Sequence, residues 1–278
     1  MRIGNLSGRL TIFTEAGAVD VEKASEGAFS PDPQDVYARW ADFRTWSAEA
    51  DLAEAKPFDH ADLGCPTPEP GQIFAVGLNY HSHAAEAGIS DPGTTPLIFT
   101  KFASSLTGPV ATVEVPKGDV DWETELVVVI GREAYHVAAA DAWSYVAGLT
   151  VGQDLSERKL QMAGVAPQFS LSKSYPGFAP VGPWVTSLDE FANPDDVLIE
   201  CSLNGQAMQS ERTTDMVFSV PTIIEFLSAV APLRPGDIIF TGTPSGVGLF
   251  RKPPRFLRPG DELVSRIDGV GEIRQIFA

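Results

Sequence analysis

The chain is poor in cysteine: Cys65 and Cys201 are the two it has, with no CxxC spacing and no local partner. That excludes a disulfide framework and a thiolate metal cluster, and leaves reduced, structural thiols of a cytoplasmic protein as the reading. Basic residues are also scarce, since 20 lysines and arginines against 37 acids give a formal net charge of −17. A nucleic-acid or anionic-membrane partner needs a clustered basic surface, so neither is expected. A small anionic substrate stays open, because bulk surface charge is screened within about 8 Å at physiological salt. Long apolar runs are missing too. Nothing approaches the ~18 residues of a membrane span, and the start, Met1 to Leu6, has no apolar signal region.

What is present is an ordinary enzyme-like composition, 44% hydrophobic and 21% charged, over 278 residues. Length allows one large domain with a small attachment. Residues 1–66 read as a small N-terminal α/β unit, with strands at Arg2–Leu6, Arg9–Thr14 and Ala18–Val21 and a helix from about Pro33 to Ala53. The Pro-rich stretch 67–71 reads as a linker, since proline removes donors and restricts its predecessor. The remainder, 72–278, is strand-rich. Asn204-Gly205 predicts a two-residue hairpin turn between 197–203 and 206–210. Ser219-Val220-Pro221 predicts a helix start, with Ile223, Ile224, Leu227 and Val230 on one stripe.

The most informative stretch is Asp121-Trp122-Glu123-Thr124-Glu125, which leads into Leu-Val-Val-Val-Ile. A period of two puts Glu123 and Glu125 on one face, and the unbroken apolar run predicts a strand covered on both faces. Two carboxylates meeting near a core need a neutralising cation or a retained proton. A hard divalent ion would resolve the conflict; the plainer alternative puts both glutamates on the wet end of an edge strand.

Four other segments carry candidate chemistry. After the strand Ile73–Val76, His83 and Glu86 fall on one face of a short helix, where the carboxylate can orient the imidazole as a general base; alternatively Ser82 simply caps that helix. Asp154 stands where a strand passes towards a helix, as a ligand or as a cap, and Lys173 lies in a Ser-rich loop. Thr241-Gly242-Thr243-Pro244-Ser245-Gly246-Val247-Gly248 resembles an anion cradle but lacks the Gly-Lys-Ser/Thr ending of a nucleotide P-loop.

Taken together and in this order, Gly-x-Asn-Tyr-x-x-His, Asp-x-Glu-x-Glu-Leu, Asp-x-Ser-x-Arg-x-x-Gln and Thr-Gly-Thr-Pro-x-Gly-Val-Gly strongly resemble the fumarylacetoacetate hydrolase family. The resemblance implies an α+β fold, a mixed rolled β-sheet with flanking helices, and a homodimer. It implies Glu123, Glu125 and Asp154 as ligands of Mg²⁺, or of Mn²⁺ or Ca²⁺, and His83, Glu86 and Lys173 as catalytic residues. Tyr80, Arg158, Gln161 and Thr243 correspond to substrate-holding positions.

The chemistry that follows is cleavage of a C–C bond of an acylpyruvate or 2,4-dioxo acid by a metal-dependent hydrolase, through a metal-bound enolate, with His83 activating water. Oxaloacetate decarboxylation and 2-hydroxyhepta-2,4-diene-1,7-dioate isomerisation are alternatives at the same site. A metal-dependent dicarboxylate-binding protein without turnover is the alternative of another class.

Overall fold

The computed structural model describes all 278 residues. An eleven-stranded mixed sheet dominates it. Along its main path the strands run Gly17–Asp20, Arg9–Thr14, Arg2–Leu6, Ala179–Ser187, Val146–Gln153, Thr124–Ile130, Ile238–Phe240, Ile73–Gly77 and Leu97–Thr100. A second sheet of five strands runs Gln206–Arg212, Leu198–Leu203, Glu262–Ile267, Gly271–Phe277 and Val110–Val113. Pairing is mostly antiparallel, but Ile238–Phe240 runs parallel to Ile73–Gly77 and Gly271–Phe277 parallel to Val110–Val113. The helices are short, and the longest, Val220–Ser228, has nine residues.

The strand Thr124–Ile130 shows why its sequence lacks polar alternation. All seven residues are buried. Leu126, Val128 and Ile130 enter one apolar cluster, while Val127 and Val129 enter another on the opposite face. This central position excludes the wet-edge reading of the glutamates.

Local signals read from the sequence have clear counterparts. Asn204 and Gly205 take positive φ, 52° and 77°, as a two-residue turn between right-twisted strands requires. The Ser219 side chain caps Val220–Ser228 by accepting from the Thr222 N–H. Val230, however, falls past the helix end and is exposed, so it leaves the apolar stripe.

The N-terminal helix differs from the continuous one expected. It is divided into Asp35–Ala38 and Trp40–Ser47, with Arg39 at φ −123° and ψ 30° between them. The Arg39 guanidinium donates to the Ala28 carbonyl at 2.8 Å and lies over the Phe29 ring. Tertiary contacts therefore override the helical period. Val21 does not end a strand either; it opens the helix Val21–Ala24 under an Asp20 cap.

Residues 1–66 are drawn into the large sheet. Arg2 and Ile3 pair antiparallel with Thr186 and Val185. Ile3, Leu10, Val36 and Trp40 share a core with Val127, Val129 and Ala147. The Pro-rich stretch is anchored just before its start, where the Tyr37 hydroxyl donates to the Pro66 carbonyl at 3.1 Å.

Candidate metal and proton-transfer site

Strand pairing assembles the carboxylates. Thr124 lies opposite Gln153, and just beyond, the Asp154 N–H donates to the Glu123 carbonyl at 2.9 Å. One oxygen each of Glu123, Glu125 and Asp154 lies within 4.8 Å of the others, and all three residues are buried. Asp154 does not cap the following helix. Glu157 does, accepting from the Lys159 and Leu160 N–H groups.

Three cations face this cluster. Lys173 Nζ lies 2.7 Å from Glu123 and 2.6 Å from Asp154. Lys101 Nζ lies 2.6 Å from Asp154 and also donates to the Lys173 carbonyl. Arg158 is shared by Asp121 and Glu123, each at 2.6 Å, and donates to Gln161 Oε1 at 3.0 Å. Its guanidinium is thus committed to orienting carboxylates and Gln161.

The two glutamates respond in opposite directions. Burial alone would raise Glu123, but Lys173 and Arg158 outweigh it and hold its carboxyl well below the usual range. Glu125 is pushed well above that range by burial and then by Asp154 and Glu123. Its hydrogen-bond partner is the Gly242 N–H at 2.7 Å. With Asp121, four carboxylates face three cations, leaving one negative charge uncompensated, and Glu125 is the member without a direct cation partner. An oxygen-only donor set with a charge deficit at its centre fits a hard divalent ion.

Beside the cluster, His83 Nδ1 lies 2.8 Å from Glu86 Oε1, and Glu86 Oε2 accepts from the Gly246 N–H at 2.9 Å. The imidazole is therefore fixed on its Nδ1 side, while Nε2 makes no protein hydrogen bond. Two glycines allow the loop that meets it. Gly242, at φ 98°, would carry a Cβ 2.7 Å from that of Asn79; Gly246, at φ 107°, one 2.1 Å from the Met208 carbonyl. Ser82 is not the helix cap. Tyr80 occupies that position, and the Ser82 hydroxyl accepts instead from the Ser245 N–H.

The remaining expected residues divide. Thr243 donates to the Thr124 carbonyl at 2.9 Å and accepts from Gln209 at 2.8 Å, so its hydroxyl braces the glutamate strand. Tyr80 is fully buried, and its hydroxyl has no partner. Burial, then the nearby charges of Glu125 and Asp215, push that hydroxyl well above its ordinary pKa. Sequence reasoning missed Lys101 and Asp121. The period of two that paired the glutamates also placed Asp121 on their face; no local signal marked Lys101.

A family model described as "Fumarylacetoacetate (FAA) hydrolase C-terminal" matches residues 72–278. The human protein described as oxaloacetate tautomerase FAHD2A, mitochondrial, is 43% identical over 210 residues, covering 75% of this chain and 67% of that protein. A solved structure described as an HpcE protein from Mycobacterium smegmatis superposes with a TM-score of 0.95 at 53% identity, covering 100% and 99% of the two chains. Maleylpyruvate hydrolase from Sphingobium sp. SYK-6, solved with manganese(II) and pyruvate, gives 0.76 at 29% identity, covering 100% and 99%. The chain belongs to the fumarylacetoacetate hydrolase family.

Proposed function

We propose that this chain is a divalent-metal-dependent enzyme that moves a proton at the carbon beside the carbonyl of a small anionic 2-oxo acid. Keto–enol interconversion of an oxaloacetate-type acid is the favoured reaction. The observation that carries it is the His83–Glu86–Gly246 chain standing beside the three buried carboxylates. Mg²⁺, with Mn²⁺ or Ca²⁺ as substitutes, would be held by Glu123, Glu125 and Asp154 and would supply positive charge to the substrate carboxylate and carbonyl oxygens. Glu86 keeps the His83 proton on Nδ1, leaving Nε2 basic. Nε2 takes the C3 proton and returns one to the carbonyl oxygen, and the reverse reaction uses the same group. Lys173 adds fixed positive charge, while Gln161 and the buried Tyr80 hydroxyl offer donors to substrate oxygens. Arg158 and Thr243 act mainly by holding Glu123 and its strand.

Hydrolysis is the second reading, favoured by the same pair: a base beside an electrophilic site can act on water as well as on carbon. The reaction would cleave an acylpyruvate or 2,4-dioxo acid, as in the maleylpyruvate hydrolase relative. Oxaloacetate decarboxylation and dienedioate isomerisation need no base acting on water, and a binding protein without turnover needs no base at all.

The test is a panel of oxaloacetate, an unsaturated 2-oxo diacid, acylpyruvates and 2,4-dioxo acids with Mg²⁺ or Mn²⁺. Rapid loss of the enol absorbance of oxaloacetate, with deuterium entering C3, supports the first reading. Pyruvate plus a second acid would move the assignment to hydrolysis, and pyruvate plus carbon dioxide to decarboxylation. A homodimer in the cytoplasm completes this reading. No helix of the structure is long and apolar enough to cross a membrane.

A further inference from the structure

A glutamine buried on an otherwise wet strand joins the two halves of the site. The edge strand Gln206–Arg212 of the five-stranded sheet has one buried residue, Gln209, which is 2% exposed. Its side-chain amide is committed at both ends. Oε1 accepts from the Thr124 N–H at 3.1 Å, and Nε2 donates to Thr243 Oγ1 and to the Pro244 carbonyl, each at 2.8 Å. A peptide N–H can only donate and a carbonyl can only accept, so these partners also fix which way the amide points. Thr243 Oγ1 in turn donates to the Thr124 carbonyl at 2.9 Å, which closes a ring of hydrogen bonds through Gln209, Thr243 and Thr124.

Each side of this ring carries one half of the chemistry. Thr124 stands between Glu123 and Glu125. Pro244 stands midway between Gly242, whose N–H meets Glu125 Oε2, and Gly246, whose N–H meets Glu86 Oε2 and so places the partner of His83. The two sides are not equally held. The strand Thr124–Ile130 is paired along both edges, with Val146–Gln153 and Ile238–Phe240, and keeps its place without Gln209. In the loop, the Gly246 carbonyl is tied by Trp122 Nε1 and Arg251, each at 3.2 Å, whereas the Pro244 carbonyl has Gln209 as its donor.

We infer that Gln209 is a positioning residue: through Thr124 on one side and Thr243 and Pro244 on the other, it fixes how far the His83–Glu86 pair stands from the metal-binding carboxylates. The inference rests on the proposed function, since that separation matters to turnover only if His83 acts on a substrate held at the metal. Gln153 supplies the contrast. It is equally buried, its Oε1 accepts from the Glu123 N–H at 3.0 Å, and its Nε2 donates to Thr124 Oγ1 at 2.6 Å and Ser265 Oγ at 2.7 Å, but it makes no hydrogen bond to the loop. Gln153 therefore braces the metal ligands alone, whereas Gln209 holds the base in register with them.

The experiment compares Gln209→Met, Gln209→Asn and Gln153→Met with the native chain. Calorimetry gives the Mg²⁺ and oxalate dissociation constants, and kcat is measured at saturating Mg²⁺ on whichever acid of the panel the native chain converts fastest, per oxalate-binding site so that unfolded protein does not count. Met keeps the length of Gln and removes its hydrogen bonds, while Asn keeps an amide too short to span both partners. A misplacement of about 1 Å can cost about 10²-fold in rate. With the Gly246 carbonyl still tied, both Gln209 variants are expected to lower kcat about tenfold while each dissociation constant changes by less than about threefold. Gln153→Met should do the reverse, weakening Mg²⁺ about tenfold with kcat nearly native at saturation. A native kcat in both Gln209 variants, or a Mg²⁺ defect that matches Gln153→Met and disappears at saturation, overturns the positioning role and leaves the proposed function intact. Loss of oxalate binding in both variants does the same, marking Gln209 as a structural residue. A native chain that binds Mg²⁺ and oxalate but converts none of the acids faster than Mg²⁺ alone would instead overturn the proposed function, and this inference with it.

Discussion

Lys101 Nζ stands 2.6 Å from Asp154 Oδ1, and neither side chain is exposed to solvent. Such a pair is retained at a desolvation cost, so removing one partner strands the other. Lys101→Met is expected to lower the unfolding free energy of the metal-free chain by about 3 kcal/mol, the low end for a broken buried pair, because Lys173 still reaches Asp154. Saturating Mg²⁺ should recover part of the loss by replacing the missing charge. Urea unfolding with and without Mg²⁺ measures both effects. A loss below about 0.5 kcal/mol would show that Lys101 does not balance Asp154.

Glu125 should behave oppositely in stability and in binding. Its carboxyl is held well above its ordinary range by burial, Asp154 and Glu123. Glu125→Gln keeps the shape while removing a charge that opposes its neighbours, so the metal-free chain should gain about 1 kcal/mol. Mg²⁺ affinity and activity should fall sharply, since the variant offers a neutral ligand in place of an anion. Unchanged Mg²⁺ affinity would remove Glu125 from the ligand set.

The contrast between these two residues also marks what can be read along a chain. Glu123 and Glu125 are legible because parity and an apolar run are local properties, and Asn204-Gly205 and Ser219 are legible because turns and caps are set by one or two side chains. Lys101 is not. It reads as an ordinary lysine between Thr100 and Phe102, and its role appears only when an edge strand from one part of the chain lies against Asp154 and Lys173. The pairing of Arg2 and Ile3 with Val185 and Thr186 is hidden for the same reason. Strand partners some two thirds of the chain apart leave no periodic signal at either end. Arg158 and Thr243 were legible as positions but not as contacts, because side-chain partners depend on which elements the fold brings together.

Cys65 provides a stability change with pH remote from the site. The thiol is buried and pushed up to about 11, above an ordinary value of 9.0, by burial, with Thr67 opposing. The raised folded value means that the contribution is fully present below pH 9 and is lost as pH rises through about 11. Two units correspond to about 3 kcal/mol. The difference in unfolding free energy between the native chain and Cys65→Ala should therefore shrink by about 2 kcal/mol between pH 8 and pH 11. A constant difference over that interval would show that the thiol does not titrate in the unfolded state as supposed.

A segment that closes over the site should begin after Glu86, where the buried positions of the His83 helix end. Tyr80, His83 and Ala84 are buried, whereas none of the residues from Ala85 to Thr95 is. Few packed apolar contacts place that segment near the low end of local stability. Amide exchange should be fast across 88–95 and slow across Thr124–Ile130. Addition of Mg²⁺ and oxalate should slow the first segment selectively. Equal, strong protection before and after addition would rule out a closing lid.

His83 separates proton transfer from metal binding. Its Nδ1 is tied to Glu86 and its Nε2 makes no protein hydrogen bond, so it can act on a substrate proton without holding the ion. His83→Ala should lower keto–enol turnover of oxaloacetate about 10²–10⁴-fold, the usual range for a general base. Mg²⁺ affinity and oxalate binding should change little. Glu86→Gln should give a smaller loss, because the imidazole remains while its orientation and basicity change. The second reading is tested on the same variant: if water attack on an acylpyruvate is the native reaction, pyruvate release should fall by a similar factor. Decarboxylation requires no base acting on water, so substantial carbon dioxide release by His83→Ala with enolisation lost would separate that activity from the base. Native rates of both enolisation and hydrolysis in His83→Ala would remove His83 from the chemistry altogether and leave the carboxylate cluster as the whole of the site.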